Sequence, residues 1–423
     1  MISFGKFFVL NEGGAAGHMQ FVYEDMSLPF STMLHMFKGL VKGEINAIEK
    51  VDGQNIFFTW NEQQGQTMFA RNTGDVKSGG MNLMQLRQKF AGRGAVELAF
   101  ADGGTVINSA LQSLDDNVRV KLFGENGDTW VNAEIMHSSN PNVIQYSGNY
   151  IVMHSMTRFI KGQEPLLLQT NFDQLVKLMD AKTEKQNERM WEWAGPKITQ
   201  LINYDEEGYG EFEQGIAQLC SNYGIDINTG TIGDFVYSTI KQKLKDVVSM
   251  AASIDIALCV AEKSEDNAVS LKKKYKEYAG IVSDFCTSDN KLKKQSQAVE
   301  PIKDLVFDLS FKVLQGVSSF FVKDQSTEIK RLQKELEKTI AAVEQAKDAH
   351  SEQRMQILQT NMKRLQHISN VASALEGIVF SSPDAPGKLF KITGAFAPAN
   401  QILGMRRYRR GNIPSLAEIG FDV

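Results

Sequence analysis

The chain changes texture twice along its 423 residues, and this order constrains the fold more than any single motif. Residues 1–165 consist largely of short apolar runs separated by Gly, Asn and Asp, a pattern typical of strands and turns. Over residues 166–370 apolar residues recur at steps of three and four, which indicates helices. The strand pattern returns over residues 371–423. We therefore expect an α+β protein in which a domain built on an antiparallel sheet is interrupted by a large all-α insertion. Two domains in series with a short tail is the alternative.

Individual elements stand out within these three parts. The sequence predicts strands at 56–60, 67–70, 377–380 and 389–392, and helices at 31–42 and 82–90. The longest apolar stripe runs from 332 to 368, with charged and amide residues filling most positions between. This stripe predicts a long amphipathic or coiled-coil helix, and polar residues near position 350 favour a bend or a turn there.

Composition narrows the class of protein. Hydrophobic residues make up 42% and charged residues 23%, which is ordinary for a soluble globular protein. The formal net charge of −4 gives no global basic field, so any nucleic acid must be bound by local patches. Three widely spaced cysteines fit a reducing compartment and no zinc site. No signal peptide and no long apolar run is visible, so we expect a cytoplasmic protein without a membrane partner.

The segment Glu49-Lys50-Val51-Asp52-Gly53-Gln54-Asn55 lies between two predicted strands. An unprotonated lysine amine is a nucleophile, and a nearby positive charge favours that form by lowering the pKa of the amine. A lysine followed by x-Asp-Gly therefore suits an enzyme that attacks a nucleoside triphosphate. A plain hairpin turn is the alternative, because Asp-Gly is a common turn dipeptide.

Five residues elsewhere have the side chains that such chemistry needs. Cations neutralise a triphosphate, and carboxylates hold Mg²⁺ and the ribose. Arg71 ends a predicted strand, Glu134 lies within one, and Glu376 precedes one. Lys388 and Lys391 lie in another. Each of these residues, taken alone, also fits an ordinary surface charge or a strand end.

These motifs, in this order, resemble the covalent nucleotidyltransferase superfamily of DNA ligases, RNA ligases and mRNA capping enzymes. They look most like the phage-type RNA ligases that seal nicks in duplex RNA. Members of that branch carry Glu-Lys-x-(His or Asp)-Gly-x-Asn at the nucleophile, which residues 49–55 match. The resemblance covers about a third of the chain, residues 40–160 and 371–395.

The resemblance implies a ligase adenylation domain with ATP as the nucleotide. It implies that Lys50 forms a lysyl-AMP, that Arg71 contacts the sugar or a phosphate, and that Tyr150 stacks on the purine. The other nucleotide-binding residues that it implies are Glu49, Asp52, Gly53, Asn55 and Glu134.

The resemblance also implies a divalent metal ion, Mg²⁺ or Mn²⁺, bound by Glu376 together with Glu134. A lysine near the end of the domain is expected to contact the α-phosphate and to stabilise the transition state. Relatives usually have Lys-x-Lys at this point, whereas this chain has Lys388-x-x-Lys391. Which of the two lysines is equivalent stays open.

The chain departs from the pattern of this family in two ways that concern the binding of nucleic acid. The helical insertion stands where relatives have a short connection, and only 32 residues follow Lys391, too few for the C-terminal nucleic-acid-binding domain of many ligases. Arginine suits phosphate contact and an interleaved tyrosine suits base stacking, so we expect binding by the run Arg406, Arg407, Arg409 and Arg410. Lysine runs at 272–276 and 291–294 are weaker candidates, because charge runs are often solvated helix faces.

Three hypotheses follow. The first is an ATP-dependent polynucleotide ligase, with RNA favoured over DNA, that joins a 5′-phosphate to a 3′-hydroxyl end. The second keeps nucleotidyl transfer but changes the acceptor to a protein, an RNA cap, a DNA nick or a small molecule. The third is a non-enzymatic assembly protein with a vestigial nucleotide site, whose helical insertion binds a protein partner or a second copy. The phage-like resemblance implies a host cytoplasm.

Overall fold

A computed structural model describes residues 19–139, 146, 148–163, 165–180, 182–199, 206–317, 319–321, 334, 376–386 and 388–393. Helices and mostly antiparallel strands alternate along these residues, which confirms the α+β class. Apart from residue 334, the long helix predicted over 332–368 lies outside the described residues, as does the arginine run at 406–410. Within the described part of the chain, no helix is both long and apolar enough to cross a membrane.

Eleven strands are present in the described residues. In chain order they are β1 (Ala47–Lys50), β2 (Gln54–Asn61), β3 (Gln66–Ala70), β4 (Thr129–Met136), β5 (Asn149–Arg158), β6 (Leu166–Leu167), β7 (Thr183–Gln186), β8 (Arg189–Ala194), β9 (Ile198–Thr199), β10 (Gly377–Phe380) and β11 (Phe390–Thr393).

Thirteen α-helices and two short 3₁₀ helices, Val22–Glu24 and Lys276–Tyr278, accompany the strands in the same residues. The α-helices are α1 (Phe30–Val41), α2 (Thr73–Lys77), α3 (Leu83–Phe90), α4 (Ala95–Gln112), α5 (Asp116–Phe123), α6 (Gln169–Met179), α7 (Glu206–Asn222), α8 (Ile232–Leu244), α9 (Met250–Val260), α10 (Ala268–Lys274), α11 (Ala279–Cys286), α12 (Ser288–Ala298) and α13 (Glu300–Gln315).

The larger sheet has seven strands, ordered β3-β2-β4-β5-β8-β7, with β6 paired to β5. Side chains alternate between the two faces of a strand. Ile56 and Phe58 therefore point to one face, where they join a buried core with residues of α3, α4, α5 and α6. Asn55 and Phe57 point to the other face, which carries the polar residues of β4 as well. The main core thus lies on one face of this sheet, and the other face carries a smaller apolar cluster together with buried polar residues of β4.

The smaller sheet joins distant parts of the chain in the order β11-β10-β1-β9. Its register places Ala47 opposite Phe380, and Phe380 opposite Phe390. These side chains pack into one core with α1 and with the helices from α7 to α13. The helical part is therefore built onto one face of the smaller sheet, and the opposite face carries Lys50.

The strands continue further than the sequence predicts. β7, β8 and β9 lie at 183–199, beyond the expected boundary at 165, and the long run of helices begins at Glu206. The β7–β8 hairpin is held by Asp102 of α4, whose carboxylate accepts hydrogen bonds from Asn187 (2.7 Å) and Arg189 (3.0 Å). Because this contact spans 85 residues, no local pattern reveals it. The division of the chain into domains stays a prediction.

Candidate functional site

Lys50 is the last residue of β1, where the smaller sheet meets the larger one. Its ammonium Nζ lies 2.6 Å from Oε1 of Glu376, the residue that immediately precedes β10. Only 13% of the lysine side chain and 9% of the glutamate side chain are exposed. The pairing of β1 with β10 sets Lys50 opposite Gly377, so the ion pair follows from the register of the sheet. A Cβ atom on Gly377 would lie 2.2 Å from the carbonyl oxygen of Ile392, so the neighbouring strand β11 leaves room only for glycine at position 377.

The Asp52-Gly53 step is not a hairpin turn, because β1 and β2 belong to different sheets. The main-chain amide of Asp52 donates to the hydroxyl of Tyr146 (2.7 Å), and that of Gly53 donates to Oε2 of Glu134 (2.7 Å). A Cβ atom on Gly53 would lie 2.9 Å from the same carboxylate oxygen, so the close approach needs glycine. The motif therefore links the two sheets beside Lys50.

Three carboxylates lie close enough to the buried Tyr146 to affect the pKa of its hydroxyl. Burial raises the pKa of Tyr146 well above its usual value, and the negative charges of Asp52, Glu376 and Glu134 raise it further. The phenol is therefore neutral at ordinary pH. Sequence reasoning missed Tyr146, because nothing in the local sequence distinguishes this tyrosine from the others.

Glu134 lies on β4, on the face of the larger sheet that its core leaves uncovered. Its neighbour across the sheet is Val152 of β5, and the next residue on that face is His154. Nε2 of the buried His154 lies 4.0 Å from Oε1 of Glu134. Sequence reasoning did not select this histidine, because the six histidines of the chain are scattered without a metal-ligand spacing.

Asn55 and Arg71 form the edge of the site near β3. The amide Nδ2 of Asn55 donates to Oδ1 of Asn132 (2.7 Å), and the guanidinium of Arg71 donates to the carbonyl oxygen of Asn55. That guanidinium lies 4.7 Å from the ring centroid of Phe100 and 5.8 Å from that of Phe90. Burial lowers the pKa of Arg71, and the nearby charge of Glu134 partly offsets the effect. Arg71 is thus a partly buried cation held beside the site.

The structure separates the two lysines of the β11 region. Lys391 of β11 lies opposite Val379 of β10, and Val379 lies opposite Ile48 of β1. Ile48 and Lys50 are two residues apart on β1, so their side chains point to the same face. Lys391 therefore shares a sheet face with Lys50. Its Nζ lies 4.7 Å from the ring centroid of Phe21. Lys388 instead pairs with the carboxylate of Asp25 at 2.5 Å.

On the hypothesis that Lys50 takes AMP from ATP, we expect Lys391→Ala to slow AMP transfer by about 10²-fold, because it removes a cation from the face that carries Lys50. Lys388→Ala is the matched control, since its ammonium already neutralises Asp25, and it should change the rate less than about threefold. Single-turnover formation of the AMP adduct measures both rates. Equal losses in the two variants would contradict this assignment.

Glu49 and Tyr150 meet a short segment that follows α13. Glu49 points to the face of the smaller sheet opposite Lys50, where Oε1 accepts from the hydroxyl of Ser319 (2.5 Å) and Oε2 from the amide of Phe320 (2.7 Å). The next residue, Phe321, packs edge-on against the ring of Tyr150, with the centroids 5.2 Å apart. The end of the helical part thus reaches the side of the site where the purine is expected.

Burial raises the pKa of Glu49 to about 7, although hydrogen bonds from Ser319 and Phe320 act in the opposite direction. A raised carboxyl pKa favours folding below the unfolded value of 4.5, and this contribution is lost as pH rises through about 7. The unfolding free energy should therefore fall between about pH 5 and about pH 8 by up to about 3 kcal/mol.

Glu49→Gln should abolish most of that fall, because glutamine mimics the protonated acid and does not ionise. Urea unfolding at the two pH values measures the difference. Glu184→Gln is a useful control, because burial also raises the pKa of Glu184, which lies on β7 of the larger sheet. An identical pH dependence in wild type and Glu49→Gln would show that another group is responsible.

Three of the seven lysines in the two runs of the helical part are engaged in ion pairs. Lys274 pairs with Asp255 (2.6 Å), Lys291 with Glu262 (3.0 Å) and Lys294 with Asp284 (3.0 Å). Each of these three lysines therefore has its charge balanced by a neighbouring acid, as on a solvated helix face.

Comparison with known proteins gives no family for the chain. No protein-family model matches it, and neither a curated protein nor a solved structure does. Within the described residues, no group of three or more His, Cys, Asp and Glu side chains is arranged as a ready-made metal site. What the site does must therefore be argued from its own geometry.

Proposed function

We propose that the protein is an ATP-dependent polynucleotide ligase, acting on RNA ends, with Lys50 as the covalent nucleophile. The observation that carries this proposal is the 2.6 Å pair between Lys50 and Glu376, two residues that lie 326 positions apart. A surface ion pair needs no such arrangement. This pair is largely buried at the junction of two sheets, with Glu134 bonded to the adjoining turn.

The first chemical step uses groups that are in contact. The ammonium of Lys50 gives a proton to the Glu376 carboxylate, and the freed lone pair attacks the α-phosphorus of ATP. A phosphorus–nitrogen bond forms, the bond from that phosphorus to the bridging oxygen breaks, and pyrophosphate leaves. The nitrogen then gives its second proton to the leaving pyrophosphate, which completes the phosphoamide. A 5′-phosphate end then takes the AMP and frees Lys50. The 3′-hydroxyl of the other end displaces AMP and forms the phosphodiester bond.

The residues present fit ATP and a divalent cation. Mg²⁺ is usually held by one or two carboxylates together with substrate phosphates, and Glu376 and Glu134 both lie around Tyr146. When bound, Mg²⁺ or Mn²⁺ would neutralise charge on the triphosphate. The Gly53 amide keeps the Glu134 carboxylate in place, and Arg71 and Lys391 supply cations from the two sheets.

The test follows the label through the reaction. Protein incubated with α-³²P-ATP and Mg²⁺ is freed of nucleotide and then mixed with a nicked RNA duplex that carries a 5′-phosphate. We expect the label to leave the protein, appear on the 5′-phosphate as an AMP cap, and be released as the nick is sealed. Label that moves to a protein or to a triphosphate-ended RNA, and not to the nick, would refute the ligase and favour another acceptor.

A further inference from the structure

A stretch next to the site has a charge balance opposite to that of the whole chain. Residues 71–93 contain five cations, Arg71, Lys77, Arg87, Lys89 and Arg93, and one acid, Asp75, whereas the chain carries a net −4. Such a local excess of positive charge costs self-repulsion, which a bound polyanion would relieve.

The cations are displayed outwards by α2 and α3. Leu86 and Phe90 anchor α3 in the core of the larger sheet, so its opposite face is exposed. The exposed positions include Gln85 and Gln88, with Arg87 and Lys89 on the two flanks, and the helix carries no acid. Arg87 donates to the hydroxyl of Thr105 on α4 (2.8 Å), and Lys89 lies towards α2. Guanidinium, ammonium and amide groups are the donors that contact phosphate oxygens in nucleic-acid complexes.

The single acid of the stretch pairs with one of the five cations and leaves a net charge of +4. Oδ2 of Asp75 accepts hydrogen bonds from the main-chain amide of Arg71 (3.0 Å) and from Nζ of Lys89 (2.7 Å). It therefore fastens α2 and α3 to the end of β3. Glu97, the next acid along the chain, accepts a hydrogen bond from the amide of Gly92 (2.7 Å).

An aromatic pair connects this surface to the candidate site. Phe90 and Phe100 stack with centroids 3.9 Å apart. The guanidinium of Arg71 lies 4.7 Å from the Phe100 centroid, and that of Arg93 lies 5.3 Å from the Phe90 centroid. Arg71 also donates to Asn55, so positive charge extends from the site to Arg93. Arg93 is flanked by Gly92 and Gly94, so neither neighbouring residue has a side chain that could crowd its guanidinium.

We propose that the exposed residues Lys77, Arg87, Lys89 and Arg93, here called the α2–α3 basic surface, bind the phosphodiester backbone of the polynucleotide beside the ends to be joined. This inference rests on the proposed ligase function and assigns the place where its substrate lies. Within the described part of the chain, only Lys89 of the α2–α3 basic surface is ion-paired, whereas three of the seven lysines in the runs of the helical part are. The surface is linked to β2, the strand that follows the Lys50 motif, through Arg71 and Asn55.

The experiment measures binding of a fluorescent nicked RNA duplex by anisotropy at several salt concentrations. The test variant is Arg87→Gln/Lys89→Gln/Arg93→Gln, which removes three charges and retains most of each stem. The control is Lys272→Gln/Lys273→Gln/Lys276→Gln, which removes three charges from the helical part. Circular dichroism melting verifies that each variant is folded.

We expect the test variant to bind at least about tenfold more weakly at about 0.1 M salt, with the slope of log affinity against log salt smaller by roughly 2 to 3. The control should change affinity less than about twofold. A DNA duplex of the same sequence shows whether the surface recognises phosphate alone. If it does, the test variant loses affinity for the RNA and the DNA duplex to the same extent.

Two outcomes would overturn the inference. One is an equal loss of affinity in the test and control variants. The other is that heparin competes for the protein as well as the nicked duplex does, which would leave no preference for a duplex. The proposed function is tested separately by the AMP adduct on the wild-type protein. Absence of the adduct would refute the ligase and leave the binding comparison valid. Equal binding by the test and control variants would refute the α2–α3 basic surface and leave the adduct standing.

Discussion

Lys50→Ala is expected to form no AMP adduct when incubated with ATP and Mg²⁺, whereas the wild-type protein gains the mass of one AMP. The substitution removes the only atom that makes the bond to phosphorus, so we expect adduct formation to fall by at least about 10³-fold. Intact-mass spectrometry measures the gain directly. A phosphoamide is labile in acid, and the adduct should therefore disappear on mild acidification.

Lys197→Ala serves as the matched control for this variant. Lys197 precedes β9, the strand on the other side of β1, and its ammonium pairs with Asp180 at 3.0 Å. We expect this control to form the adduct at nearly the wild-type rate. An adduct that persists in Lys50→Ala, or one that maps to another lysine, would refute the assignment of the nucleophile.

Glu376→Gln is expected to slow adduct formation by about 10² to 10³-fold. Glutamine keeps the size of the side chain, but it neither accepts the Lys50 proton nor contributes charge to a metal site. Glu376→Asp retains the charge on a shorter stem and should restore part of the rate. A merely structural role for Glu376 would not produce this order of rates, because aspartate alters the packing more than glutamine does.

The measurement is the single-turnover rate as a function of Mg²⁺ concentration. We expect Glu376→Gln to need more Mg²⁺ and Glu376→Asp to lie between it and the wild type. Asp384→Asn is the control, because this carboxylate lies beyond the other end of β10, in the β10–β11 connection, and pairs with the exposed His35 at 2.8 Å. If Glu376→Gln reacts at the wild-type rate at every Mg²⁺ concentration, Glu376 has no part in the chemistry.

The sequence predicted those elements whose pattern is local. The helices at 31–42 and 82–90 are confirmed as α1 and α3, and the four predicted strands as β2, β3, β10 and β11. It did not predict α4, because a Gly-Gly pair in its interior indicates a break, nor the β7–β8 hairpin, whose charged residues indicate helix. Contacts with the larger sheet outweigh both local preferences.

The candidate site also contains some residues that the sequence analysis selected and others that it missed. Lys50, Glu134 and Glu376 were selected by resemblance to a motif order, and the structure brings the three into one region. Tyr146 and His154 were missed, because each gains its importance from a partner on another element. The sequence left Lys388 and Lys391 equivalent, and the register of β10 with β11 distinguishes them. Most features of the site that local sequence spacing did not predict therefore depend on pairing between residues that are far apart in the chain.

The pairing of β1 with β10 has a consequence for synthesis of the chain. Translation delivers Lys50 long before its partner strand, since 326 residues separate it from Glu376. At ordinary elongation rates the nascent chain would wait roughly 20 to 60 s for β10 to leave the ribosome. During that interval β1 has an open edge, and the buried pocket around Lys50 does not yet exist. The helices of the intervening part can fold first and present the surface on which the two strands meet.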